Sequence, residues 1–182
     1  YMLLLTFSCS GLIILDQLIA KIIYSNDFYI AWKYVPFLLI SAVFAALNAF
    51  IDSIFAANMD SKIIAQTTII GAVINIVLNL LLIYFMGTMG AAISTMISYF
   101  VMWIFKFIKA KKIVKITINP LKMSVSYIIL LAQSILIVYT NNYTIKYSLV
   151  TILFFAMVLI NIKDLKALIY KGLNYIKQKK AS

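Results

Sequence analysis

The chain has 182 residues, 65% of them hydrophobic and 12% charged, with a net charge of +11 and a mean hydropathy of +1.05. A soluble domain is about half apolar and a quarter charged, so this composition excludes a soluble globular fold and requires lipid. All 16 basic residues are lysines, and they sit at the ends of apolar runs, in one loop and in the tail. That is the placement of membrane-flanking loops, not of a basic-aromatic face, and nucleic acid is not an expected partner.

The first apolar segment covers Met2 to Ile23 and carries Asp16 and Lys21 towards its far end. Lys21 can snorkel to the interface, and Asp16 is expected against neighbouring helices or near headgroups. The lone Cys9 reads as a small packing residue. Because the chain opens within an apolar run, an upstream portion of the same chain is expected. Tyr24 to Tyr34 reads as a short polar, aromatic loop at the membrane boundary.

Pro36 opens a second segment ending at Ala57. Its 22 residues extend about 33 Å as a helix, enough to cross the hydrocarbon. Ser41, Ala45, Asn48 and Asp52 fall on one side of that helix. Asn58 to Lys62 is a polar turn. The stretch from Ile63 to Tyr99 contains no charged residue and breaks once, between Met86 and Gly90, so it reads as a transmembrane hairpin. Thr67, Gly71, Asn75 and Asn79 line one face of its first helix, and that stripe is expected to meet Ser41, Asn48 and Asp52. Gly90, Ser94 and Ser98 form a small-residue ridge suited to close helix packing, with Gly71 in the same role.

The fourth segment is expected to run from Thr88 to about Phe105, interrupted at Lys106, and a lysine-rich loop follows. Asn119-Pro120 is an N-cap followed by the first helical position, so a fifth helix is predicted from there to about Thr140. After a turn at Asn141 to Thr144, a sixth segment covers about Ile145 to Ile162. The tail from Lys163 places Leu165, Leu168, Ile169, Leu173 and Ile176 on one side, as in an amphipathic helix on a membrane surface.

With six spans, Lys62, the cluster from Lys106 to Lys122 and the tail lysines share one side. Lys21, Lys33 and Lys146 share the other. The positive-inside rule then puts both ends of this fragment in the cytoplasm, as a multi-pass protein of the cytoplasmic membrane. Residues 1–110 divide off as four core helices, 111–162 as a basic loop and two further spans, and 163–182 as the basic tail.

Little here can carry enzymatic chemistry. There is no His or Glu and one Cys, no ligand set with metal spacing, and no phosphate-binding glycine loop. No catalytic residue, cofactor or enzyme activity is expected. What remains is polarity within the spans, at Asn48, Asp52, Asn75 and Asn79, with Gln66 and Gln133. Such groups either bond helix to helix at about 0.6 kcal/mol each or line a path for a polar substrate.

The segment Gly71 to Ser98, GAVINIVLNLLLIYFMGTMGAAISTMIS, resembles the signature region of polysaccharide and oligosaccharide flippases, the Wzx-like branch of the multidrug/oligosaccharidyl-lipid/polysaccharide exporter superfamily. The stretch IIYSNDFYIAWKYVPFLLIS resembles the loop and helix entry of that family, with Ser25-Asn26 where a Gly is more usual. The likeness covers about residues 12 to 110. It implies an all-α polytopic transmembrane bundle, the C-terminal half of a two-bundle transporter whose N-terminal helical half lies upstream. It further implies translocation of an undecaprenyl-diphosphate-linked oligosaccharide by alternating access, for O-antigen, capsule or exopolysaccharide assembly. The partners would be the bilayer, the lipid-linked oligosaccharide and the N-terminal half. With almost no base expected inside the six spans, the cationic residues of such a cavity would come from that other half. A multidrug or cation antiporter of the same superfamily is the alternative, with Asp52 as its candidate acid. A membrane polysaccharide polymerase or ligase is the alternative of another class.

Overall fold

A computed structural model describes residues 1–23, 26–114, 119–167 and 170. Its elements are α1 (Met2–Ile23), a 3₁₀ segment (Asn26–Lys33), α2 (Val35–Ala57), α3 (Ser61–Met86), α4 (Thr88–Ala110), α5 (Pro120–Tyr139) and α6 (Tyr143–Ile160). The fold is all-helical, and all six α-helices are long and apolar enough to cross a membrane. The predicted tail helix lies largely outside the described residues; positions 162–167 are helical.

Local chemistry sets the helix ends. The Asn119 side chain accepts the backbone N–H of Lys122 at 3.4 Å, and Pro120 takes the first turn of α5. The Asn142 side chain accepts the N–H groups of Thr144 and Ile145 at 3.1 and 3.4 Å. Each cap satisfies donors that a helix start leaves open. Gly87 alone joins α3 to α4, at φ +58°, a conformation that glycine adopts without a Cβ penalty. So short a connection forces α3 and α4 into an antiparallel pair.

Two predicted boundaries need correction. The Tyr24–Tyr34 connection is not a plain loop; Asn26–Lys33 winds into a 3₁₀ helix. The fourth span does not stop at Lys106 but continues to Ala110, and Lys106 is 1% exposed inside it. A charge read as a break is instead buried inside the helix.

The helices lie in an unequal array. α3 sits at one edge against α4, and α4 packs along α2. Beyond α2 come α1 and α5, and α6 closes the other edge against α5 and α1. Lipid tails are as apolar as leucine, so close packing, not exclusion from water, holds such helices together. Phe44 shows how. Its ring stacks on Tyr127 of α5 at 4.6 Å and tilts against Phe100 of α4 at 5.0 Å. Around it Ile40, Val43, Leu47, Ile51 and Phe55 of α2 are buried with Trp103, Leu130 and Ile137. α3 contributes little to this core: Thr67 and Gly71 are its buried residues, and Ile69, Val73, Ile76 and Leu80 point outward.

Candidate functional site

The ridge predicted on α4 extends further than its small residues. From Gly90, steps of four reach Ser94, Ser98, Met102, Lys106 and Ala110, and all six are buried. Gly90 is needed for its size, since a Cβ there would sit 2.2 Å from the backbone oxygen of Leu82 in α3. A Cβ on Gly71 would sit 3.0 Å from the Met102 sulfur. The hydroxyls of Ser94 and Ser98 each donate to the carbonyl four residues back, at 2.7 Å. They are satisfied within their own helix, so this part of the ridge is a packing surface, as its spacing predicts.

One turn beyond Met102 the ridge becomes charged. Lys106 Nζ lies 2.7 Å from Asp52 Oδ2 of α2, with the lysine side chain 2% and the aspartate side chain 29% exposed. This removes the expectation that the spans hold almost no base: Lys106 is buried, and so is Lys146. An ammonium buried at this depth requires a counter-charge, and Asp52 supplies it from a helix more than fifty residues earlier. The pairing also alters the role expected of Asp52, which is an ion-pair partner and not an isolated acid.

Asn48 stands one turn from Asp52 on the same face of α2. Its Nδ2 donates to the carbonyls of Phe44, at 2.9 Å, and of Tyr99 in α4, at 3.1 Å. Asn48 Oδ1 and Asp52 Oδ1 are buried and accept no hydrogen bond among the described residues. The α2–α4 seam therefore presents an ammonium, a carboxylate and an amide, with two acceptor atoms in reserve. Ser41, the other member of the α2 stripe, donates to the carbonyl of Leu38 at 2.7 Å.

Asn75 and Asn79 do not join this seam. The predicted meeting of the α3 stripe with the α2 stripe does not extend to these two residues, because α3 packs mainly along α4 and only slightly against α2. Asn79 Nδ2 donates to Asn75 Oδ1 at 2.9 Å. Asn75 lines a cavity of about 280 Å³ between α3 and α4, together with Gly71, Thr95, Ser98 and Tyr99. Polar residues thus occupy both sides of α4 without touching across it. Of the two glutamines, Gln66 is exposed. Gln133 is fully buried and ties three helices: it accepts from Ser10 Oγ of α1 at 2.7 Å and donates to the Val150 carbonyl of α6 at 3.0 Å.

Sequence reasoning missed Lys106 as a site residue. The signal was present, because continuing the Gly90-Ser94-Ser98 ridge at the same interval lands on it. It also undervalued Asp16, which is 3% exposed and whose Oδ2 has no hydrogen-bond partner among the described residues. Asp16 lies on α1 next to Gln17, which accepts from the Tyr147 hydroxyl at 3.1 Å. Among the described residues no group of three or more acid, histidine or cysteine side chains is placed to hold a metal.

The chain is similar to an uncharacterized membrane protein, MJ1068, of Methanocaldococcus jannaschii, at 34% identity over 92 residues. The matched stretch is 48% of this chain and 17% of that protein, so the chain spans a small part of its relative's length. No family model matches the chain, and no solved structure does. Six apolar helices of spanning length, packed by small-residue ridges and a buried ion pair, together with this likeness, make the chain a polytopic, all-helical membrane protein.

Proposed function

We propose that this chain is part of a flippase that moves an undecaprenyl-diphosphate-linked oligosaccharide across the cytoplasmic membrane for surface polysaccharide assembly. The observation that carries the reading is the Asp52–Lys106 pair within the spanning helices. Packing alone does not require it, since apolar residues of similar volume hold such an interface as well or better. A lysine placed among spanning helices is instead suited to a polar, anionic substrate. The resemblance of Gly71 to Ser98 to the flippase signature supports the same conclusion.

The reading implies a mechanism. With the seam closed, Asp52 neutralises Lys106. As α2 and α4 part in an alternating-access cycle, the ammonium exchanges its carboxylate for a diphosphate oxygen. Asn48 Oδ1 and Asp52 Oδ1, both acceptors without donors among the described residues, then become available to sugar hydroxyls. When the substrate leaves, the ion pair re-forms and closes the seam.

The test is translocation by the full-length protein in proteoliposomes, using a polyprenyl-diphosphate oligosaccharide with a fluorescent sugar. Protein-dependent loss of label from the outer leaflet supports the reading. Exchange no faster than in empty liposomes opposes it. A cation-coupled antiporter of the same superfamily is the second reading, and Asp16 favours it as a buried carboxylate with an oxygen unpartnered among the described residues. Drug efflux that depends on a sodium or proton gradient, and is lost in Asp16→Asn, would select that reading.

A further inference from the structure

One cavity does not coincide with the polar seam. It is a groove of about 410 Å³ between α2, α4 and α5, within the roughly 300–1,000 Å³ of small-molecule sites. Its walls are Phe44 of α2, Phe100, Trp103 and Phe107 of α4, and Ile128 and Leu131 of α5. Ile128 is 63% and Phe100 38% exposed, so the groove is open along its side in this chain.

Shape and charge identify the occupant. From Met96 of α4 to Lys111, at the cap just past its end, the lining extends about 22 Å at 1.5 Å per residue. That is longer than one leaflet's share of a hydrocarbon core about 30 Å thick. The walls are apolar and aromatic for most of that length, and one positive charge stands at one end. Lys111 is exposed, its Nζ rests 4.9 Å from the Phe107 ring centre, and no carboxylate pairs with it among the described residues. An extended acyl chain fills such a groove, and an anionic headgroup complements the lysine at its mouth.

We infer that the α2–α4–α5 groove binds one chain of an anionic phospholipid from the leaflet at the lysine-rich end, with its phosphate on Lys111. The site is separate from the Asp52–Lys106 seam and does not depend on a transport reaction.

Trp103 lies in the groove wall and reports on its contents. The full-length protein and its Trp103→Phe variant are placed in nanodiscs containing phospholipid with brominated acyl chains. The fluorescence difference between the two isolates Trp103. Brominated phosphatidylglycerol should quench that component at a mole fraction about fivefold lower than brominated phosphatidylcholine does, the preference expected of one lysine near an anionic headgroup. Lys111→Gln should erase the preference and Lys111→Arg keep it. Lys112→Gln, which removes the same charge from a residue outside the groove lining, should leave it intact. Equal quenching by both lipids would overturn the site, as would an equal effect of Lys112→Gln. Displacement of the brominated lipid by a polyprenyl phosphate at equal mole fraction would assign the groove to an isoprenoid and overturn it too. Lys111 is exposed, so loss of the fold does not confound these variants.

Discussion

Lys106 Nζ and Asp52 Oδ2 stand 2.7 Å apart, joining α2 to α4 five and four residues, respectively, from the C-terminal ends of those helices. Removing either partner leaves the other buried and uncompensated. Lys106→Met or Asp52→Leu alone should destabilise the protein by about 3–5 kcal/mol, and the double substitution should recover most of that loss. Unfolding of purified protein in mixed detergent, analysed as a double-mutant cycle, checks this.

The close approach of Gly90 to Leu82 makes a second prediction. A Cβ at Gly90 meets backbone at 2.2 Å, which cannot yield as a side chain does, whereas nothing lies within 4 Å of a Cβ on Gly11. Gly90→Ala should cost about 1–3 kcal/mol through overpacking, and Gly11→Ala should leave stability unchanged or higher. Thermal unfolding of the two variants side by side is the measurement.

Gln133 makes a third. Its two bonds tie α5 to Ser10 and to the Val150 carbonyl. Gln133→Leu should cost about 1 kcal/mol, and the Ser10→Ala/Gln133→Leu cycle should show a coupling near 0.6 kcal/mol, the average for bonds between spanning helices. Additive single effects would mean that the bond is absent in the bilayer.

Topology is the fourth. Gly87 and Asn142 mark the connections α3–α4 and α5–α6, and Asn58 the connection α2–α3. With six antiparallel spans, cysteines at Thr88 and Asn142 should react with an impermeant maleimide from one side and a cysteine at Asn58 from the other. The native Cys9 is buried and is replaced by alanine in all of these variants. The lysine distribution predicts Asn58 on the cytoplasmic side.

Most of the architecture was legible in the residues. Apolar runs located the six spans, and Asn119-Pro120 fixed the start of α5 because a cap is a local event. The Gly90-Ser94-Ser98 ridge was legible for the same reason, since its spacing lies within one helix. Helix neighbours were not. Which helix stands beside which depends on packing between distant segments, so the stripe of α3 gives no sign that its main neighbour is α4 and not α2. Lys106 was misread for a related reason: hydropathy counts a lysine as an end, and the aspartate that permits its burial lies on another helix. Gln133 likewise gave no hint that Ser10, at the far end of the chain, is its partner.

Under the proposed function, the Asp52–Lys106 pair serves transport and is more than a fastening. The direct measurement is the rate of oligosaccharide-lipid translocation by proteoliposomes of the full-length protein carrying Asp52→Leu with Lys106→Met. The predicted result is a protein that inserts and unfolds like the parent yet translocates at the background rate, because the apolar pair fills the seam but cannot exchange a carboxylate for a diphosphate. Translocation at the parental rate by that variant would contradict the account and reduce the pair to packing.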